Sequence, residues 1–357
     1  MDIKFEPALS ICVPTYSRKF FLQNLLSQLV ELVEQEKFNI EICVADNSSH
    51  DDTWAYLTKL AGDKNYISIK LQPKNIGGNR NLIDITSMAR SEWILVMGDD
   101  DMIIEENLSK LLNLLPTLDE VDYVLLNTKV SETENLFNFE PGPLSLKTIE
   151  KSFCKSINEF GFCGSHLMRR EVANDMRNRV YEDLRTWPSF GTFTYNALTL
   201  KKRIYFLDTP VVWQNRDGHA MFWQPTDWLK LMIRMQNVFL INTENYRNTA
   251  FQTIVIQRNT SSALFFKSFY RALIYLREET LSVLVSEEYL NLQHHIPRYR
   301  GIFNYIVLRF IKIIPMSITY FIIKNILKRN LDDYIYTGKL DEKDGINQDP
   351  EILTKSD

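Results

Sequence analysis

The first third of the chain alternates between short apolar runs and longer segments whose apolar residues recur at helical spacing. Runs with the length and composition of buried strands occupy residues 9–14, 40–46, 66–71 and 93–97. Between the first two runs, one face of a predicted helix carries Leu22, Leu25, Leu26, Leu29, Val30 and Val33. Strands and helices that alternate in this way predict a parallel sheet with helices on its faces, joined by right-handed crossovers.

The remaining elements of this pattern are shorter, and the pattern changes near Thr226. A helix is predicted over residues 82–90, and strands are predicted over 121–126, 204–207 and 211–214. From Thr226 onward, broad apolar faces at helical spacing replace the strand pattern. We therefore predict an α/β domain over residues 1–224, a helical region over 225–337 and a polar tail over 338–357.

Polar residues follow the predicted strands at the ends where parallel sheets bind ligands. The second strand ends on Asp46, residues 75–81 form a loop rich in Asn and Gly, and the fourth strand leads into Gly98 and the aspartates 99–101. Adjacent carboxylates repel one another and are costly to desolvate, so they are expected to bind a cation or a ligand. The acids taken alone also fit a solvated turn. Three polar clusters at one sheet edge favour a binding site.

Composition narrows the class of protein. The chain has 357 residues, 45% of them hydrophobic, which suffices for a large core, and its formal net charge of −4 gives no reason to expect nucleic acid as a partner. The cysteines lack metal-ligand spacing, and Cys12 and Cys43 lie in apolar runs where burial is expected. The N-terminus carries no signal-peptide pattern, which predicts a cytoplasmic protein. The phosphate-loop patterns GxxxxGK[ST] and GxGxxG are absent, which disfavours a P-loop or dinucleotide fold.

Four segments resemble, in order, the nucleotide-sugar domain of family-2 glycosyltransferases. They are residues 13–17 (VPTYS), 44–53 (VADNSSHDDT), 75–81 (NIGGNRN) and 98–101 (GDDD), within a resemblance that covers residues 8–215. The resemblance implies the GT-A fold, an α/β class with a Rossmann-like, mostly parallel central sheet flanked by helices, here followed by a helical C-terminal region. It also implies metal-dependent, inverting transfer of a sugar from a UDP-, dTDP-, GDP- or CDP-sugar. The implied setting is bacterial O-antigen, capsule or lipopolysaccharide assembly, as for abequosyl- and rhamnosyltransferases.

The resemblance also assigns roles to residues. Asp46 is expected to contact the nucleobase, Asp99 the sugar side of the donor, and Asp101, with Asp99, a Mn²⁺ or Mg²⁺ ion. Asp100 is expected beside the donor as a spacer, either facing solvent or capping the next helix. The same segments supply the other donor-binding candidates, Pro14, Tyr16, Arg18, Asn75, Gly78 and Arg80. One or two protein carboxylates suffice for these hard cations when phosphate and water complete the coordination.

An inverting transfer needs a base that deprotonates the acceptor hydroxyl, and a carboxylate is adequate. In the family this base is an Asp in a Glu-Asp pair, which Glu182 and Asp183 match, although the usual Gly-Gly-Phe-Asp lead-in is absent. Acids at a helix start are the alternative interpretation of this pair, and Asp175 is a further candidate base. His219 is a candidate metal or phosphate ligand, with an ordinary loop histidine as the alternative, and Arg216 is a candidate partner of the diphosphate.

The basic and apolar composition of the C-terminal region predicts contact with a membrane. Residues 290–330 contain no acid, and the basic, apolar segment 298–330 suits an amphipathic helix on anionic lipid. Its longest uncharged run, 313–323, is too short to span a bilayer. A lipid-linked oligosaccharide acceptor and a peripheral position on the inner face of the cytoplasmic membrane are therefore expected. A helix packed on the main domain or in a homo-oligomer is the alternative.

Two other functions remain open. A sugar-1-phosphate nucleotidyltransferase has a related sheet, but that class carries a glycine-rich basic loop directly after the first strand. Residues 14–19 here contain no glycine. A non-catalytic glycan-binding protein that keeps the fold is the other alternative, and the retained carboxylates argue against it.

Overall fold

The computed structural model describes residues 6–35, 37–145, 161–182 and 202–215, with Thr148, Thr194 and Ala197. The strands in these ranges are β1 (Leu9–Thr15), β2 (Ile40–Asp46), β3 (Ile67–Leu71), β4 (Trp93–Val96), β5 (Met102–Ile103), β6 (Tyr123–Lys129), β7 (Gly142–Pro143), β8 (His166–Arg169) and β9 (Ile204–Trp213). The α-helices are α1 (Lys19–Glu34), α2 (Thr53–Ala61), α3 (Gly78–Asp84), α4 (Glu105–Leu114) and α5 (Arg170–Glu182).

The strands of the described residues form one sheet in the order β3-β2-β1-β4-β8-β6-β9-β5, with β7 paired to β9. β1 pairs in parallel with β2 and β4, and β2 pairs in parallel with β3. β8 lies antiparallel between β4 and β6, and β9 is parallel to β6. β1, β2, β3, β4, β6 and β9 therefore run in one direction. The predicted α/β class with a mostly parallel central sheet is confirmed.

The core follows the predicted apolar positions. Every residue of β2 and β4 is buried, because both strands lie in the interior of the sheet. Helix α1 buries Leu22, Leu25, Leu26, Leu29 and Leu32. Cys12 and Cys43 are buried free thiols, as expected for small apolar residues in these strands. The helical spacing read from the sequence thus identifies the face of α1 that packs on the sheet.

The helix predicted over residues 82–90 begins earlier than expected. Helix α3 starts at Gly78 and ends at Asp84, and a 3₁₀ turn follows over Ile85–Met88. Gly77, which precedes the helix, has a φ of 87°, a left-handed conformation that glycine adopts without steric cost. Gly78 and Arg80 therefore lie in the first turn of a helix rather than in a loop.

The two strands predicted over 204–207 and 211–214 are one continuous strand, β9. The register with β6 shifts between Leu126 and Thr128, so β9 carries extra residues around Asp208. Asn127 at this shift donates its Nδ2 to Asp208 Oδ1 at 2.6 Å. This side-chain contact keeps the irregular stretch attached to the sheet, which is why the polar interruption does not end the strand.

The predicted domain limits at residues 224 and 337 and the amphipathic segment 298–330 lie outside the described residues, and they stay predictions. In the part of the chain that the structure describes, none of the helices is both long enough and apolar enough to cross a lipid bilayer.

Candidate functional site

The polar segments identified in the sequence meet at one edge of the sheet. Thr15, the last residue of β1, is in register with Asp46, the last residue of β2. The Asn47 N–H donates to the Thr15 carbonyl at 2.9 Å, and the Gln72 N–H donates to the Asp46 carbonyl at 2.9 Å. Because β4 is parallel to β1, the aspartates that follow β4 come to the same edge. The predicted convergence of these loops is therefore confirmed.

A guanidinium group bridges two of the three aspartates. Arg18 Nη1 lies 2.7 Å from Asp99 Oδ1, and Arg18 Nη2 lies 2.5 Å from Asp100 Oδ2. The Thr15 hydroxyl donates to the second oxygen of Asp99 at 2.7 Å. Arg18 also lies over the Phe21 ring, 5.1 Å from its centroid. Both oxygens of Asp99 are thus oriented by groups at the end of β1 and the start of α1.

The structure corrects the expected position of Asp100. Its side chain is only 1% exposed and pairs with Arg18, so it neither faces solvent nor caps α4, which begins after Ile104. The reason is Gly98, over which the carboxylates of Asp100 and Asp101 fold. A Cβ atom at Gly98 would lie 2.7 Å from Asp101 Oδ2 and 2.9 Å from Asp100 Oδ1, so a larger residue would displace both carboxylates.

Asp101 has a different environment from its two neighbours. One oxygen accepts the Gly98 N–H and the other accepts the Asn215 N–H, each at 3.2 Å. Within the described ranges no ion pair involves Asp101. Burial and the charge of Asp100 raise the pKa of Asp101 to about 8. Burial likewise raises the pKa of Asp99 to about 6, against the opposing effect of Arg18. The cluster as a whole therefore favours an incoming positive charge.

The oxygen atoms available at this edge of the sheet fit a hard divalent cation that is held mainly by the phosphates of a bound ligand. In the described part of the chain, no three His, Cys, Asp or Glu side chains converge as a ready-made metal site. Asp99 already engages Arg18 and Thr15, whereas Asp101 accepts only two backbone N–H groups and keeps lone pairs for coordination. One carboxylate with phosphate and water oxygens is a coordination set that suits Mg²⁺ and Mn²⁺.

Asp46 presents an unused acceptor at the same edge. Its Oδ1 accepts the Ser49 N–H at 2.9 Å and the Ser49 hydroxyl at 2.5 Å. Its Oδ2 is buried and has no hydrogen-bond partner among the described residues. Burial raises the pKa of this carboxyl. A buried acceptor without a partner is costly, so its presence indicates that a ligand donor completes the arrangement.

The other predicted donor-binding residues surround these acids. Pro14, Tyr16 and Asn75 are half-buried near the strand ends, whereas Gly78 and Arg80 are exposed. Tyr16 contacts His50 edge-on, with ring centroids 5.9 Å apart. All five residues lie in β1, α3 or the loops that leave the carboxyl edge of the sheet.

Most of the predicted catalytic and additional ligand residues lie outside the part of the chain that the structure describes. Glu182 is the last residue of α5, and its side chain lies outside the described atoms, as do Asp183, Arg216 and His219. The structure does not bring Asp175 to the acidic edge, which is the edge of the sheet where Asp46 and Asp99–Asp101 lie. Helix α5 begins where the Arg170 N–H meets the Glu92 carbonyl before β4, and Asp175 pairs there with Lys202 at 3.1 Å. This contact lies toward the opposite edge of the sheet.

Residues that the sequence did not single out also shape the site. Thr15 orients Asp99, Ser49 orients Asp46, Asn47 joins three loops, and the Asn215 backbone binds Asp101. Ser49 follows Asp46 closely enough in the chain for the Asp46 side chain to accept its backbone N–H, so this local contact had a usable sequence signal. The contact between Asp101 and Asn215 joins positions 114 residues apart and has no local signal.

Comparison with known proteins agrees with this geometry. Residues 10–177 match the model of Glycosyl transferase family 2. The fold resembles GT-A glycosyltransferases. TarS residues 1–349 from S. aureus, solved in complex with UDP, match with a TM-score of 0.53 and 18% identity over 83% of this chain and 88% of that chain.

Two curated relatives match a shorter stretch. Abequosyltransferase RfbV of Salmonella typhimurium is 35% identical over 104 residues, which are 28% of this chain and 30% of the relative. The GalNAc(5)-diNAcBac-PP-undecaprenol beta-1,3-glucosyltransferase of Campylobacter jejuni is 32% identical over 108 residues, which are 30% of this chain and 34% of the relative. The matched stretch thus spans about a third of each relative.

Proposed function

We propose that the chain is a glycosyltransferase that moves a hexosyl or deoxyhexosyl group from a nucleotide-diphosphate donor to a hydroxyl of a glycan. The observation that carries this proposal is the meeting, at one sheet edge, of the unpartnered Asp46 Oδ2 and the buried carboxylates of Asp99 and Asp101. Such an edge provides an acceptor for a base N–H, an acceptor for a sugar hydroxyl and a ligand for a cation. The matched family domain supports the same reaction class.

Each side chain has a defined task in this proposal. Asp46 accepts a hydrogen bond from the nucleobase, with Ser49 fixing its other oxygen. Asp99, oriented by Thr15 and Arg18, accepts a hydroxyl on the sugar side of the donor. Asp101 would hold Mn²⁺ or Mg²⁺, and an ion held there would supply positive charge opposite the departing diphosphate. The buried position of these groups strengthens each electrostatic interaction, since little water is present to screen it.

Asp183 is the proposed base of an inverting transfer, with Glu182 beside it. Helix α5 begins at the amino edge of the sheet and packs against α3, which starts at the carboxyl edge. A helix of 13 residues is about 20 Å long, enough to return its last residue, Glu182, toward the acids. This direction supports a carboxylate from the end of α5 as the group that removes the acceptor proton.

The proposed acceptor is a lipid-linked glycan of a bacterial surface polysaccharide. The name of the Campylobacter relative includes a glycan linked to PP-undecaprenol. Segment 298–330 of this chain is basic and apolar.

The membrane contact of this segment is tested with lipid vesicles. Neutralising Arg298 and Arg300 is expected to reduce co-sedimentation with phosphatidylglycerol vesicles. Neutralising the exposed Lys59 and Lys110 removes the same charge from the α/β domain and is the control. Equal sedimentation of the two variants would reject the membrane contact.

A donor screen tests the enzymatic proposal. Purified protein is incubated with UDP-, dTDP-, GDP- and CDP-sugars and Mn²⁺, Mg²⁺ or a chelator, and binding and nucleotide release are measured. We expect one nucleotide class to bind, a chelator to abolish turnover, and Asp101→Asn to lose turnover. Asp63→Asn, at an exposed acid outside the site, is expected to remain active. Failure to bind any nucleotide would refute the function, and activity in chelator would refute only the metal.

A further inference from the structure

Asn47 joins three segments at the acidic edge, although it was not among the predicted site residues. The residue is only 2% exposed. Its N–H donates to the Thr15 carbonyl at 2.9 Å, and its Oδ1 accepts the Ile76 N–H at 2.9 Å. Its Nδ2 donates to Asn75 Oδ1, also at 2.9 Å. One carboxamide therefore binds a backbone group and a side chain of the loop that precedes α3.

This loop depends on side chains for its conformation. Asn75 Oδ1 accepts a second hydrogen bond, from the Gly77 N–H at 2.9 Å. Gly77 itself has a φ of 87°, so the chain turns sharply before α3 begins at Gly78. The N–H groups of Ile76 and Gly77 are thus satisfied by Asn47 and Asn75 rather than by a strand or a helix. Removing either carboxamide leaves a backbone donor without its partner.

Asn47 also lies beside the groups proposed to bind the donor. It follows Asp46 directly, and Thr15, which accepts its backbone N–H, donates its hydroxyl to Asp99. The loop over residues 75–77 is therefore fixed against the same strand ends that carry Asp46 and orient Asp99. The position of the loop relative to both acids depends on Asn47.

We propose that Asn47 is a positioning residue that holds the loop 75–77 in the conformation that receives the nucleoside diphosphate of the donor. This inference rests on the proposed function. Asn47 makes no contact with substrate in the proposal. It acts through Asn75 and the Ile76 backbone, and it spares the donor the entropic cost of ordering the loop on binding.

Amide hydrogen exchange tests the arrangement without relying on activity. In Asn47→Ala, the Ile76 and Gly77 amides are expected to exchange at least about tenfold faster than in the unmodified protein, because the loop opens more easily. The isosteric pair Asn47→Asp and Asn75→Asp sharpens the test. A carboxylate at position 47 cannot donate to Asn75 Oδ1, whereas a carboxylate at position 75 still accepts from Asn47 and Gly77. Only the change at position 47 is expected to increase exchange at Gly77.

Binding and kinetics test the positioning role. Calorimetric titration with UDP, GDP, CDP and dTDP in the presence of Mn²⁺ identifies the nucleotide that binds. Asn47→Ala is expected to bind this nucleotide about tenfold more weakly, which is the loss of one to two hydrogen bonds. With the corresponding sugar donor, KM is expected to rise while kcat stays within about twofold, because the loop is ordered equally in the ground and transition states.

An exposed asparagine at the opposite edge serves as the control. Asn39 donates its Nδ2 to the Glu6 carbonyl at 2.7 Å, and Asn39→Ala is expected to leave nucleotide affinity unchanged. Unchanged exchange at Ile76 and Gly77 in Asn47→Ala would overturn the proposal, as would faster exchange with unchanged nucleotide affinity. If the unmodified protein binds no nucleotide, the proposed function fails, and the exchange data separately decide whether Asn47 holds the loop.

Discussion

Gly98→Ala tests whether the acidic edge is built around the absence of a side chain. Gly98 does not have a positive φ, so alanine fits the local backbone. The added Cβ would instead lie 2.7 Å from Asp101 Oδ2 and 2.9 Å from Asp100 Oδ1, closer than the 3.4 Å of ordinary contact. Asp101 must therefore move by about 0.7 Å and Asp100 by about 0.5 Å, or the turn itself must shift.

The geometry sets the size of the expected effect. Asp100 is held by Arg18 at 2.5 Å, so most of the movement falls on Asp101, which is held only by two N–H groups at 3.2 Å. Overpacking of this kind destabilises a protein by about 1–3 kcal/mol. Misplacing a reacting or metal-binding group by nearly 1 Å costs about a hundredfold in rate. We therefore expect the loss of activity to exceed what the loss of stability explains.

Gly164→Ala is the matched control, because a Cβ at Gly164 would also meet atoms at 2.7 and 2.9 Å, in Phe162 and Val212. These neighbours are apolar, so the overlap falls on no carboxylate directly and is expected to cost mainly stability. Urea unfolding measures stability for both variants, and Mn²⁺-dependent nucleotide binding measures the site. Equal loss of Mn²⁺-dependent binding in the two variants, or normal binding in Gly98→Ala, would refute the reasoning.

Three further predictions concern other parts of the molecule. Gly78→Ala adds a Cβ into open space, so we expect an intact fold. We also expect nucleotide binding to be about tenfold weaker in titrations, because the proposed donor approaches this backbone closely. Unchanged nucleotide binding would exclude that approach. Burial raises the pKa of Asp101 from 3.8 to about 8, so the folded state holds this proton more tightly. The resulting stabilisation is present below pH 3.8 and is lost as pH rises toward 8. In chelator-treated protein, Asp101 should contribute a loss of about 3 kcal/mol between pH 5 and 7.5 in urea unfolding, so Asp101→Asn should lose less stability over the same range. Glu41→Gln removes the buried charged partner of Arg90 at the opposite edge of the sheet. The free energy of unfolding should therefore fall by about 1–3 kcal/mol while nucleotide affinity is unchanged. Weakened nucleotide binding would contradict the separation of the two edges.

Much of the fold and part of the site followed from local pattern. Apolar runs predicted β1, β2, β3 and β4, and the acids that end them were expected at one edge because parallel strands share a direction. Asp46 and Asp99–Asp101 were candidates because they lie at the carboxyl ends of buried strands, and the resemblance to family-2 glycosyltransferases assigned their expected roles. Periodicity also identified the buried face of α1, because burial on a helix repeats with the helical turn.

Tertiary structure decided how the acids differ from one another. The spacing of three consecutive aspartates does not reveal their partners, yet Arg18 pairs with Asp99 and with Asp100, 82 residues away, and Asn215 binds Asp101 across 114 residues. Asp100 was expected to face solvent or to cap the next helix, but it is buried against Arg18, because Gly98 lets its carboxylate fold inward. Periodicity describes which face of an element is buried, whereas the partner of a charged group depends on chain segments that meet only after folding. The sequence therefore determined where the acidic edge lies, and the fold determined that Asp101 is the carboxylate left with capacity for a cation.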